Sequence, residues 1–123
     1  MNKEMKLGMI NNNTLVVKFA GDIDNLVCPS YKNKLETVIE ENKYQRVIMD
    51  FTNVTFIDSS GIGLILGRYN QLKKHKGNLY MSGVNKQTEK LFNIAGLWTI
   101  LEKYDSIDQA LKTAGALKWI KLN

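Results

Sequence analysis

Cysteine, proline and histidine each occur once in this chain of 123 residues. With Cys28 alone, no internal disulfide can form. Cys28 and His75 together fall short of the ligand set that a zinc site takes, so no metal and no cofactor are expected. No apolar run approaches the roughly 20 residues of a membrane span, because charged or polar residues interrupt every stretch. The opening Met1-Asn2-Lys3-Glu4-Met5-Lys6 has the positive charge of a signal peptide without a hydrophobic region behind it. The protein is therefore expected to stay in the cytoplasm, away from membranes. There are no repeats, no low-complexity tracts and no linker.

What is present fits one globular domain spanning 1–123. Apolar residues make up 44% and charged residues 24%, enough to build a core and a solvated surface. The formal net charge is +5, drawn largely from Arg68, Lys73, Lys74, Lys76, Lys112, Lys118 and Lys121. Such an excess can mark a nucleic-acid binder. It can equally be a solvated face, and the aromatics are not interleaved with the basic residues as single-strand binding requires. No nucleic-acid partner is expected; an acidic protein partner fits the charge as well.

Periodicity gives the elements. Met5–Ile10 and Thr14–Ala20 read as a hairpin turning at Asn11-Asn12-Asn13, with Leu15, Val17 and Phe19 on the one buried face of the second strand. Cys28, Tyr31, Leu35 and Val38/Ile39 recur at helical spacing, with Pro29 in the first turn and Cys28 as a small core residue. Arg46–Phe51 is near-continuously apolar, as a central strand covered on both sides should be. Val54–Ile57 follows it. A second helix with Ile62, Ile65, Leu66, Tyr69 and Leu72 on one face stops at Gly77. Leu79–Val84 is a strand, and Thr88, Leu91, Phe92 and Ala95 mark a short helix closed by Gly96. Ile100–Tyr104 is a last short strand. Ser106-Ile107-Asp108-Gln109 matches a capping box, opening a helix whose face is Ile107, Ala110, Leu111, Ala114 and Leu117. This alternation specifies an α/β fold: about four helices packed on a mixed, mostly parallel sheet of about five strands.

Chemistry is expected at Asp58-Ser59-Ser60-Gly61-Ile62-Gly63, between an apolar run and a helix. A serine or aspartate there caps orphan N–H groups, and glycines relieve crowding against a sheet. A dinucleotide loop fits poorly, because three residues precede the last glycine of Gly61-Ile62-Gly63-Leu64-Ile65-Leu66-Gly67 and no Gly-Lys-Ser/Thr occurs. A hydrolase with Ser59 as nucleophile needs His75 as its base, but sixteen helical residues put the two about 24 Å apart. A serine that accepts a phosphate fits best. The helix start welcomes the roughly −1.5 to −2 added charge, whereas a partner docked over the same spot does not.

Phe56-Ile57-Asp58-Ser59-Ser60-Gly61-Ile62-Gly63-Leu64-Ile65-Leu66-Gly67-Arg68-Tyr69 closely resembles the signature of STAS-domain anti-sigma-factor antagonists, most of all the sporulation antagonists of spore-forming Firmicutes. The likeness continues through Lys90-Leu91-Phe92-Asn93-Ile94-Ala95-Gly96-Leu97 and through Phe19-Ala20-Gly21-Asp22-Ile23-Asp24. The resemblance implies a regulator without catalysis of its own, monomeric when free, that binds an anti-sigma factor which is also a serine kinase and so releases a sigma factor. It implies phosphorylation of Ser59 as the inactivating step, reversed by a serine phosphatase. It places Asp24, Asp58, Ser60, Gly61 and Ile62 on the partner-binding surface. A general-stress regulator, or a small nucleotide-binding protein or hydrolase on the same fold, is the alternative. The chain departs from the sporulation type in being basic, and in its last stretch, Leu117–Asn123, for which a helix end with Trp119 folded onto the body is expected.

Overall fold

A computed structural model describes residues 2–10 and 13–114. The Asn11-Asn12 turn, Leu117 and the Lys118–Asn123 segment lie outside the described residues. Five strands and four helices follow in the order β1 (Glu4–Ile10), β2 (Thr14–Ile23), α1 (Cys28–Asn42), β3 (Arg46–Ile57), α2 (Ser59–Lys73), β4 (Asn78–Ser82), α3 (Lys86–Ile94), β5 (Lys103–Tyr104) and α4 (Ile107–Ala114), with a 3-10 turn at Leu97–Thr99. The sheet order is β1-β2-β3-β4-β5, with β1 antiparallel to β2 and every later pair parallel. The mixed, mostly parallel sheet anticipated from the alternation is the one found.

Each parallel crossover steps one strand further in the same direction. Right-handed connections of that kind place their helices on one face, and α1, α2 and α3 share one core with Leu15, Val17, Met49, Phe51 and Met81. No further strand follows α4 among the described residues, so the handedness rule does not bind it. It covers the opposite face, where Ala110 and Leu111 pack on Val16 and Ile48. This corrects the single buried face expected for β2: Thr14, Leu15, Val16 and Val17 are all buried because helices lie on both sides. At the centre, Phe51 stacks on Phe19 (ring centroids 5.4 Å apart) and meets Phe92 edge-on at 5.4 Å.

Several boundaries move. The apolar runs at 46–51 and 54–57 are one strand, β3. Its register against β2 shifts twice, between Lys18 and Ala20 and between Gly21 and Asp22. Such bulges sharpen twist and re-aim side chains, and the second sits near the strand ends that carry the site. Strand β4 ends at Ser82 rather than Val84, and β5 keeps only Lys103–Tyr104, because the 3-10 turn occupies the approach to it. Helix α2 ends before Gly77, whose N–H donates to the Leu72 carbonyl at 2.7 Å, with Lys76 taking the left-handed turn (φ 61°). At α4, Ser106 Oγ accepts from the Gln109 N–H at 3.1 Å and the Gln109 side chain accepts from the Asp105 N–H, so the expected capping box forms, displaced by one residue on its return bond.

Arg68 corrects the reading of a solvated basic surface. It is 4% exposed, pinned between α1 and α2 with one guanidinium nitrogen 3.3 Å from Glu36 Oε2. No helix among the described residues is long and apolar enough to cross a membrane.

Candidate functional site

The turns leaving β2 and β3 meet at the carboxyl ends of the parallel strands, where open α/β sheets build their sites. Asp58 joins them. As the residue preceding α2 it holds extended geometry (φ −109°, ψ −173°), and its Oδ1 accepts from the N–H groups of Ser60 (2.9 Å) and Gly61 (3.3 Å). The Ser60 hydroxyl also donates to Oδ1. Oδ2 accepts from the Asn25 N–H at 3.2 Å, tying the β2–α1 turn to the head of α2. One carboxylate thus fixes both turns. Its pKa is held below the ordinary value, first by the Ser60 hydroxyl and then by the backbone N–H donors, against the opposing effect of burial.

Asp24 organises the other turn. Its Oδ1 accepts from the Leu26 N–H (3.1 Å) and the Val27 N–H (3.4 Å), and Lys3 Nζ reaches Oδ2 at 2.6 Å. The lysine contact leads in lowering the Asp24 pKa. Lys3 was not among the residues anticipated for the site, since no local pattern links it to a turn 21 positions away.

The two serines differ. Ser60 is half-buried and engaged by Asp58. Ser59, the first residue of α2, is exposed, and no described residue hydrogen-bonds its hydroxyl. The helix start was expected to welcome a phosphate through its N–H groups and dipole, but the N–H groups of Ser60 and Gly61 are already taken by Asp58. A phosphate there would face solvent beside a carboxylate.

Gly61 and Ile62, expected on the partner surface, face inward. A Cβ on Gly61 would come within 2.4 Å of the Ile57 side chain, and Ile62 is 9% exposed in the core. They seat the head of α2 against the sheet instead. Two exposed apolar residues flank the site and were not anticipated: Leu26 (77% exposed), in the Asp24 turn, and Phe56 (52%), near the end of β3. Cys28 is buried, as a core residue should be, and burial pushes its thiol pKa up.

Asp58→Ala should lower the unfolding free energy by about 0.5–2 kcal/mol, the range for loss of an N-cap side chain, read by urea denaturation. Because folding lowers the Asp58 pKa, the ionised carboxylate stabilises above its unfolded value of 3.8 and loses that contribution as pH falls through the folded value. The gap between parent and Asp58→Asn should therefore narrow below pH 3.8. A gap constant with pH would remove the carboxylate's charge from the account.

Comparison with known proteins agrees with this geometry. Residues 9–110 match the STAS domain. The chain is 29% identical over 97 residues to an anti-sigma F factor antagonist of Paenibacillus polymyxa, covering 79% of this chain and 83% of that one. It is 30% identical over 108 residues to the anti-sigma-B factor antagonist of Bacillus subtilis, covering 88% and 92%. Among solved structures it resembles the anti-sigma factor antagonist SpoIIAA in its unphosphorylated form, with a TM-score of 0.81 at 25% identity over 91% of this chain and 97% of that one. The phosphorylated form of the Bacillus protein superposes with a TM-score of 0.74 at 25% identity, over 90% and 99%. With the matched segment running from the end of β1 into α4, the chain belongs to the STAS domain family.

Proposed function

We propose that this chain is an anti-sigma-factor antagonist that docks an anti-sigma factor through the joined β2–α1 and β3–α2 turns, and that a phosphate on Ser59 releases it. The observation that carries the reading is the contrast between neighbouring serines. Ser59 offers an exposed hydroxyl that no described residue holds, while Ser60 is engaged by Asp58. A kinase can take the first without disturbing Asp58 and must break the Ser60–Asp58 hydrogen bond to take the second.

Leu26 and Phe56 supply the apolar contact that protein interfaces bury at their centres. Asp24, Asp58 and Ser60 shape the two turns, and Gly61 and Ile62 support them from inside. Docking over this surface needs Ser59 uncharged. The partner is an anti-sigma factor with serine-kinase activity, and a serine phosphatase restores the unmodified form in the cytoplasm. The relatives name sigma F and sigma B at 29% and 30% identity, so purified anti-sigma factors of each kind belong in the binding assay; the sporulation type is the one we favour.

Incubation with the kinase and ATP, followed by tandem mass spectrometry, should place one phosphate on Ser59 and none on Ser60. Ser60→Ala should still be modified and Ser59→Ala should not. A phosphate confined to Ser60 or to another residue would remove the switch from this reading.

A further inference from the structure

A groove of about 610 Å³ runs between α1 and α2, within the roughly 300–1,000 Å³ range of small-molecule sites. Gly63, Leu64 and Gly67 form one wall; Cys28, Pro29 and Lys32 form the other. The two glycines make the space, since a Cβ at either would meet nothing within 4 Å. Asn25 and Ser60 line the end nearer the helix heads, while Glu36 and Arg68 close the opposite end.

Arg68 carries the argument. Its Nε and Nη1 are buried without a hydrogen-bond partner among the described residues, and the residue as a whole is 4% exposed. Among the described residues Nη2 alone is engaged, at 3.3 Å, by a Glu36 carboxylate that is itself half exposed. A guanidinium keeps its charge in proteins and presents five donors in a planar fork. Burying that fork with most of its donors unpaired among the described residues costs free energy that an anionic acceptor reaching them would recover. The lining carries two cations, Lys32 and Arg68, against one carboxylate, Glu36, and the walls between are mostly apolar. From Ser60 to Arg68 the groove follows eight helical residues, about 12 Å, room for a body of roughly eight carbons.

We propose that this groove binds a small amphiphilic anion, a carboxylate or phosphate monoester on an apolar body, whose head displaces Glu36 from Arg68 and whose body lies along Gly63, Leu64 and Gly67. The groove shares Asn25 and Ser60 with the joined turns, but its charged end at Arg68 lies nine helical residues beyond Ser59, and the assignment does not rest on the Ser59 switch.

Sodium octanoate and octyl phosphate, titrated separately into the ¹⁵N-labelled chain, test the assignment through amide shifts. Saturable shifts centred on Gly63, Gly67 and Arg68 are expected, with half-saturation on the order of 0.1–1 mM for ligands of this size. The tighter of the two identifies the head group, and uncharged octanol should bind at least about tenfold more weakly. Arg68→Met keeps length and helix propensity and should weaken binding about tenfold or more. Glu36→Gln removes the competing carboxylate and should tighten binding severalfold, an effect that an apolar cleft alone would not give. Gly67→Leu fills open space, so it should fold with an unchanged or raised Tm and abolish saturable binding, which keeps the test decisive if Arg68→Met fails to fold. Absence of saturation by about 10 mM for both probes, or parent-like binding by Gly67→Leu, would overturn the proposal.

Discussion

Phe51→Ala should lower the unfolding free energy by about 3–5 kcal/mol, and Tm by on the order of 10–20 °C. The side chain is wholly buried in β3, stacked on Phe19 from β2 and edge-on to Phe92 from α3. Removing it strips one partner from each of two aromatic pairs and leaves a cavity where two strands and a helix converge. Neighbouring rings can close little of that space, because Phe19 and Phe92 are themselves held by Tyr31 and Trp98. Phe56→Ala provides the internal control. The same residue type on the same strand, but 52% exposed, should cost under about 1 kcal/mol. Chemical denaturation of the two variants side by side checks both values. Equal losses would mean that burial in β3 does not set the energetics as the packing implies.

These two phenylalanines also mark the limit of what could be read from the chain. Phe51 sits in a continuous apolar run, and that run alone signals a strand covered on both sides. Phe56 lies two positions after buried Val54, so alternation would turn it inward with Val54. The bulge at Thr55, opposite the Gly21–Asp22 step, resets the alternation and turns Phe56 outward. A bulge is a property of two strands in register and leaves no mark on one of them.

Arg68 teaches the same lesson from the opposite side. Its neighbours in the chain, Gly67 and Tyr69, give no sign of burial. What encloses it is α1, whose Glu36 lies 32 positions away. The Asp58 cap, by contrast, was legible, because an N-cap acts on the N–H groups two and three residues ahead and needs no tertiary partner. Its second task, accepting from the Asn25 N–H, is tertiary and was invisible. Local chemistry pointed to a serine at the helix start and the family resemblance to Ser59; the folded chain shows how the two serines differ, Ser59 exposed and Ser60 engaged by Asp58.

Ser59→Asp should weaken binding to the anti-sigma factor by about 30- to 1,000-fold, equivalent to about 2–4 kcal/mol, while leaving stability within about 0.5 kcal/mol of the parent. Stability is spared because Ser59 is exposed, its hydroxyl is held by no described residue, and an acidic residue in the first turn suits the helix dipole. Binding is not spared. The new carboxylate stands next to that of Asp58, which has already taken the nearest N–H donors, so a covering partner must strip water from two adjacent anions. Ser60→Ala should show the inverse pattern. It removes a donor to Asp58 and should cost about 1 kcal/mol of stability, with a smaller loss of affinity. Salt separates the causes. Repulsion at a distance fades at 0.5 M salt, where the screening length is about 4 Å, whereas desolvation at contact persists. Calorimetric titration at low and high salt should therefore recover only part of the affinity lost in Ser59→Asp. Full recovery would mean that the partner never covers Ser59 and senses its charge only from afar.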